Sequence, residues 1–271
     1  MTTPRIPLPE GFKLFVEDLL KEVETVEGFL EPNEIRFLAL LAACPTAEGE
    51  ILEIGSFKGK SAIILAKSAA LTGRTIVNAV DPMTAPCETD PDLHGADSSF
   101  PDFQKNIRAH GVEDLIKFHQ KYSFELAASW STPLRFLWID GDHTYKGTKL
   151  DFDGFAGHLS DGAIVAVHDV LHGFDGGIRV FMEDMLLSPH FGACGFVGSI
   201  AWAQFHRDES VGWQYREEKL KLYKRLSRLI PFVVFKKDLV GFDRKRYKFF
   251  RSLVPHGQMN PSEWLEKVGR L

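Results

Sequence analysis

Apolar positions recur along this chain at two spacings, and the changes of spacing mark its elements. Residues 8–26 place Phe12, Phe15, Leu19 and Leu20 at helical intervals. Residues 31–44 form a second expected helix, entered at Pro32, where proline suits a first turn. From there the pattern alternates. Ile51–Ile54, Phe136–Ile139 and Ile164–Val167 are almost unbroken apolar runs, as strands buried on both faces should be. Further strands are expected at 75–80, 115–119, 134–140 and 162–168, with helices after Gly59 and at 100–110, 144–158 and 177–188. Two glycine-punctuated runs, Ala193–Val197 and Ser199–Phe205, read as an antiparallel hairpin. Strands alternating with helices predict an α/β fold, a doubly wound, mostly parallel seven-stranded sheet. Around it we expect a helical N-terminal cover (1–45), a central domain (46–210) and a basic helical C-terminal extension (211–271).

Ligands of open α/β sheets bind at the carboxyl ends of the strands, and the polar residues gather there. The first strand ends in Glu53-Ile-Gly55-Ser56-Phe-Lys-Gly59-Lys-Ser61, a tight turn running into a helix. Dinucleotide sites use G-x-G-x-x-G; here the spacing is E-x-G-x-x-x-G. A carboxylate before the first glycine repels a pyrophosphate and favours a cationic ligand. The segment resembles motif I of the class I S-adenosylmethionine-dependent methyltransferases. That resemblance implies S-adenosylmethionine as cofactor, with Glu53, Gly55, Ser56, Gly59 and Ser61 around it. Asp81 ends the second strand, where a carboxylate can accept both ribose hydroxyls; it also reads as a turn residue before Pro82.

A second constellation is Ile139-Asp140-Gly-Asp142-His143-Thr-Tyr145 with the later Val167-His168-Asp169. Neighbouring strands bring these ends together, and converging carboxylates need a cation or protons between them. Asp140, Asp169 and His168 therefore form a candidate Mg²⁺ or Mn²⁺ site. The other reading makes both aspartates helix caps. His143, on the same rim, is the candidate general base. The I-D-G-x-H-x-Y run with V-H-D resembles the bacterial macrocin-type and cephalosporin-biosynthesis-related O-methyltransferases, and more distantly the catechol O-methyltransferases, over about residues 30–207. The resemblance implies metal binding by Asp140 and Asp169, and sets His143 where the catechol relatives carry a lysine base. His168 departs from both patterns. After the third strand, Gln120-Lys-Tyr-Ser123 replaces the relatives' Gly-Asp-Ser; Ser123 and Gln120, with Asp140, are expected near the cofactor.

Composition narrows the class. The chain has 271 residues and a net charge of −5. Residues 216–251 hold thirteen Lys/Arg against four Asp/Glu, so the remaining body is strongly acidic and no nucleic-acid partner is expected. Cys44, Cys87 and Cys194 form no C-x-x-C pair, the start at Met1–Pro7 lacks a long apolar core, and a cytoplasmic location is expected. Leu220, Leu222, Tyr223, Leu226 and Leu229 interleave with Lys219, Lys221, Lys224, Arg225 and Arg228. This amphipathic basic helix packs on its own domain or a sister subunit, or else contacts an anionic membrane, here the inner membrane face, through 216–251. Residues 82–103 read as a long loop over the site; His94 in it, and His172 and Asp175 after the fifth strand, read as plain loop or as acceptor contacts. The expected reaction is O-methylation of a small-molecule or glycan hydroxyl, helped by a metal. The rivals are a non-catalytic scaffold and an NAD-dependent oxidoreductase.

Overall fold

The computed structural model describes residues 8–73, 75–84, 97–235 and 239–269. Helices α1 (Phe12–Glu22) and α2 (Pro32–Ala43) precede the sheet. In α2, Pro32 sits in the first turn and Glu31 and Glu34 form a reciprocal capping box. Then follow β1 (Glu50–Ile54), α3 (Lys60–Ala69), β2 (Val77–Val80), α4 (Phe100–Ala109), β3 (Ile116–His119), α5 (Ser123–Ala127), β4 (Leu134–Ile139) and α6 (Tyr145–Ala156). Next come β5 (Leu159–Val167), α7 (Gly176–Val180), β6 (Phe191–Val197) and β7 (Ile200–Phe205). The helix expected at 177–188 is α7 extended by a π-helical turn, Phe181–Leu186. The C-terminal part is helical: α8 (Glu209–Gln214), α9 (Arg216–Leu226), α10 (Ile230–Val233), α11 (Gly241–Ser252) and α12 (Pro261–Val268).

The seven strands lie in the order β3-β2-β1-β4-β5-β7-β6. β1 to β5 are mutually parallel, and β7 runs antiparallel to both β5 and β6, the expected hairpin. The chain winds outward in opposite directions from β1 and β4, so a crevice opens at their carboxyl ends. Helices cover both faces of the sheet, because every residue of β2 and β4 is buried.

Both terminal segments share the central core. Trp264 of α12 is fully buried, with its ring 5.7 Å from Phe37 of α2 and 4.9 Å from Trp202 of β7. On the opposite face Leu222, Leu226 and Leu229 pack with Phe155 and Phe181. The apolar side of α9 is thus turned inward, apart from Leu220, which is exposed. Lys219 is buried rather than solvated, its Nζ donating to the carbonyls of Ser188 and Phe191 at 2.6 Å each. Among the described residues no helix is long and apolar enough to cross a membrane. Met1–Pro7, Cys87 and His94 lie outside the described residues.

Candidate functional site

The crevice holds a cavity of about 540 Å³, a size typical of ligand sites, lined by Gly55, Ser56 and Ser61, Asp81, Ser123, Asp140, His143, His168 and Asp169 among others. Its floor is the turn after β1. Gly55 has φ 86°, and a Cβ there would lie 2.2 Å from the Asp140 carbonyl oxygen, so only glycine lets the ends of β1 and β4 meet. Gly59, at φ 90°, enters α3 in the same left-handed region without lining the cavity.

Two acids brace this turn, Glu53 from β1 and Asp81 just after β2. Glu53 is fully buried and is not among the lining residues; its carboxylate accepts the Ser56 hydroxyl at 2.7 Å. Burial pushes its pKa up to about 8, despite hydrogen bonds from Ser61 and Ser56. Burial thus disfavours its charge, and it organises the turn from beneath without reaching the cavity. Asp81 lines the cavity but accepts three backbone amides: Ser56 at 2.8 Å, Phe57 at 3.0 Å and Met83 at 2.7 Å. A carboxylate has about four acceptor positions. Bidentate capture of both ribose hydroxyls would thus displace amides already held. Those amides are the groups a pyrophosphate would need, which counts against a dinucleotide.

The opposite rim is built on buried ionic contacts. His168 is 3% exposed and lies between Asp140 (Nδ1 to Oδ1, 2.8 Å) and Glu34 (Nε2 to Oε2, 3.4 Å). Burial alone would lower its pKa, but Asp140, Glu34 and Asp169 together hold it well above 6.5. Glu34, from α2, also accepts the backbone N–H and hydroxyl of Ser199 at 2.6 and 2.7 Å. Burial opposes its charge, yet the hydrogen bond and charge of His168 bring its pKa down to about 2. Asp169 sits at φ 55°, a conformation aspartate tolerates, and contacts His172 at 2.7 Å and His143 Nε2 at 3.6 Å. Burial raises its pKa, but the His172 hydrogen bond and the nearby imidazoles outweigh this and lower it to about 2. His143 stacks on Phe174, ring centroids 4.8 Å apart.

This geometry does not fit the metal reading. Both nitrogens of His168 face carboxylates, Nδ1 toward Asp140 and Nε2 toward Glu34, so neither is turned toward a metal shared with Asp169. The cation between the converging carboxylates is the imidazolium itself. Among the described residues no group of three or more His, Cys, Asp or Glu is set to hold a metal ion. Nor do the aspartates cap helices: Thr144 caps α6, accepting the Gly147 amide at 3.2 Å.

Ser123 donates to the buried Asp151 on the cavity wall, whereas Gln120 is not among the lining residues. Asp151 escaped the sequence reading, as did Glu34; burial raises its pKa to about 7, with the Ser123 hydrogen bond opposing. Asp175 accepts the Tyr145 amide at 3.2 Å and braces α6, while His172 remains partly exposed beside Asp169. Asp142 accepts the Thr144 amide at 2.8 Å, so the carboxylate facing His143 is Asp169.

These shifts set a pH profile. Glu34 and Asp169, both lowered, contribute stability that is complete above their ordinary values and lost as pH falls toward about 2. His168, raised, contributes stability present below 6.5 and lost as pH climbs through its folded value. Glu53 and Asp151, raised carboxyls, favour the folded state most at low pH, and their contribution declines up to about 8 and about 7. The melting temperature should peak near about pH 5. Glu53→Gln should flatten the alkaline side of a melting-temperature titration and leave the acid side; an unchanged alkaline slope would mean that Glu53 is ionised in the fold.

Residues 52–170 match a family model described as a methyltransferase domain. Among solved structures, a cofactor-bound protein from MTB aligns at 20% identity with a TM-score of 0.52, over 73% of this chain and 91% of that one. The O-methyltransferase from Bacillus cereus, in complex with SAH, aligns at 20% identity and TM-score 0.50, over 70% and 90%. TomG from Streptomyces achromogenes, an O-methyltransferase involved in tomaymycin synthesis and solved with SAM, gives 18% and 0.50, over 74% and 92%. Likeness at these identities speaks to the fold. Residues 52–170, which carry every rim residue from Glu53 to Asp169, thus match a methyltransferase-domain model, and the sheet around them has a Rossmann-like methyltransferase fold.

Proposed function

We propose that this protein transfers the methyl group of S-adenosylmethionine to a hydroxyl oxygen of a small-molecule or glycan acceptor. The observation that carries the reading is a single cavity joining the turn after β1 to the His143–Asp169 pair. The cavity volume of about 540 Å³ lies in the range of small-molecule and cofactor sites. The turn Gly55–Ser61, Ser123 and the Asp81-braced loop would hold it, while Tyr122 and Phe124, stacked at 5.4 Å, provide an aromatic wall. When bound, S-adenosylmethionine supplies an electrophilic methyl on a positively charged sulfur. The acceptor oxygen gains that methyl as the S–CH₃ bond breaks, and the hydroxyl proton passes to His143. With Nε2 facing Asp169, the lone pair is left on Nδ1, and the Asp169 carboxylate stabilises the imidazolium that forms. Protonated His168 holds Asp140 in place on the same rim. No step is assigned to a metal, since His168 is not available as a ligand. Support for a natural-product acceptor comes from the resemblance to macrocin-type enzymes and from TomG's part in tomaymycin synthesis.

Calorimetry tests the cofactor. The protein should bind S-adenosylmethionine or S-adenosylhomocysteine, and NAD poorly; binding of neither sulfur nucleoside would sink the assignment. Asp81→Ala releases the Ser56 and Phe57 amides. Affinity should then fall by about tenfold, roughly 1.4 kcal/mol, because the loop that would hold the cofactor loses its brace.

A further inference from the structure

Helix α11 shows an apolar surface that the fold does not use. Its inner face is anchored: Tyr247 is buried and its hydroxyl donates to the Leu171 carbonyl at 2.9 Å, while Val254, just beyond the helix, is 1% exposed. Its outer face carries Phe242 and Phe249, 74% and 60% exposed, with Leu253 following in line. These residues lie seven and then four positions apart, so they form one stripe along the helix. Phe235 and Val240, 79% and 70% exposed, extend the same apolar character at the helix entrance.

The polar residues around the stripe are cationic apart from Asp243 in the first turn. Arg244, Lys245, Arg246 and Lys248 are all exposed, and the sequence has no acidic residue from Arg244 to Ser262. Among the described residues none of these four cations forms a salt bridge. The Arg246 guanidinium lies 6.0 Å from the Phe242 ring centroid and 5.6 Å from that of Phe232. Protein–protein interfaces are depleted in lysine, and here two lysines flank the phenylalanines. Phenylalanine and leucine on one face with Lys/Arg beside them is the make-up of a helix that lies in a bilayer interface. Large exposed apolar stripes are otherwise rare on soluble surfaces.

We infer that the outer face of α11 docks this protein on an anionic membrane surface, with Phe242, Phe249 and Leu253 entering the headgroup region and Lys245, Arg246 and Lys248 beside them meeting acidic lipids. The docking helix is bonded to Leu171, two residues beyond Asp169, so it would hold the acceptor side of the cavity close to the membrane. Docking stands apart from the methyl-transfer reading, because its test measures neither cofactor binding nor turnover.

The test is co-sedimentation of the full chain with vesicles. Protein should pellet with phosphatidylcholine–phosphatidylglycerol vesicles at low salt, pellet weakly with phosphatidylcholine alone, and be released as salt rises. The double substitution Phe242→Ser with Phe249→Ser should weaken binding about tenfold or more at an unchanged melting temperature. Lys245→Glu with Lys248→Glu should do the same on anionic vesicles while leaving the weak binding to phosphatidylcholine as it was. Absence of pelleting with anionic vesicles at low salt would overturn the proposal, as would full binding by the phenylalanine double variant. A concentration-dependent dimer that this variant breaks would assign the face to a second copy of the chain, and the proposal would fall.

Discussion

His143→Ala should lower kcat by about 10²–10⁴-fold, roughly 3–5 kcal/mol of barrier, the usual contribution of a general base. The residue is well placed for the role. Phe174 stacks on its ring at 4.8 Å and restricts its rotation, and Asp169 faces Nε2 at 3.6 Å. Affinity for the cofactor should be nearly intact, because the imidazole acts on the acceptor's proton rather than on the nucleoside. Asp169→Asn should give a smaller loss, since the ring stays in place but the imidazolium loses its counter-charge. An alanine variant that keeps the wild-type kcat on an acceptor that the wild type methylates would make His143 a structural residue of the rim.

Trp264→Ala should destabilise the whole protein by about 3–5 kcal/mol, as large aromatic truncations in cores do. Trp264 is near the end of the chain, in a helix whose composition alone does not mark it as core. It is nevertheless fully buried against Phe37 and Trp202, and so joins the N-terminal cover, the last-placed hairpin and the C-terminal extension. Urea unfolding should show one transition shifted to lower denaturant, because the cavity opens in a core shared by all three. A midpoint equal to wild type would mean that α12 is a separable appendage.

The strands were legible because a parallel sheet covered on both faces leaves an unmistakable mark, and Phe136–Ile139 carries it. The acidic and imidazole residues at the rim were legible for a topological reason: in such a sheet the site must lie at the strand ends, and Asp81, Asp140 and Asp169 sit there. What each carboxylate does was not legible. Asp81 and Glu53 both read as ligand contacts, yet one is taken up by backbone amides and the other is buried beneath the turn. Sequence spacing places a residue at a rim but does not say which donors reach it first. Glu34 shows the same limit: in the first turn of α2 it accepts the Glu31 amide at 2.9 Å. Its second task, facing His168, depends on a contact 134 residues away in the chain. Asp151 was passed over because a polar residue in a helix ordinarily faces water. In α9, alternating leucines and lysines fixed an amphipathic helix without indicating that Lys219 would turn inward to two carbonyls.

The contact between Glu34 and His168 bears on how this protein can be dissected. Composition invites a cut near residue 45, leaving a tidy methyltransferase unit. Such a fragment would keep every rim side chain and still be miswired, because the cut removes the carboxylate that answers a buried imidazolium and ties down the Ser199 turn. The smallest faithful fragment must begin ahead of α2. In this molecule the modular boundary is electrostatic, and it does not coincide with the compositional one.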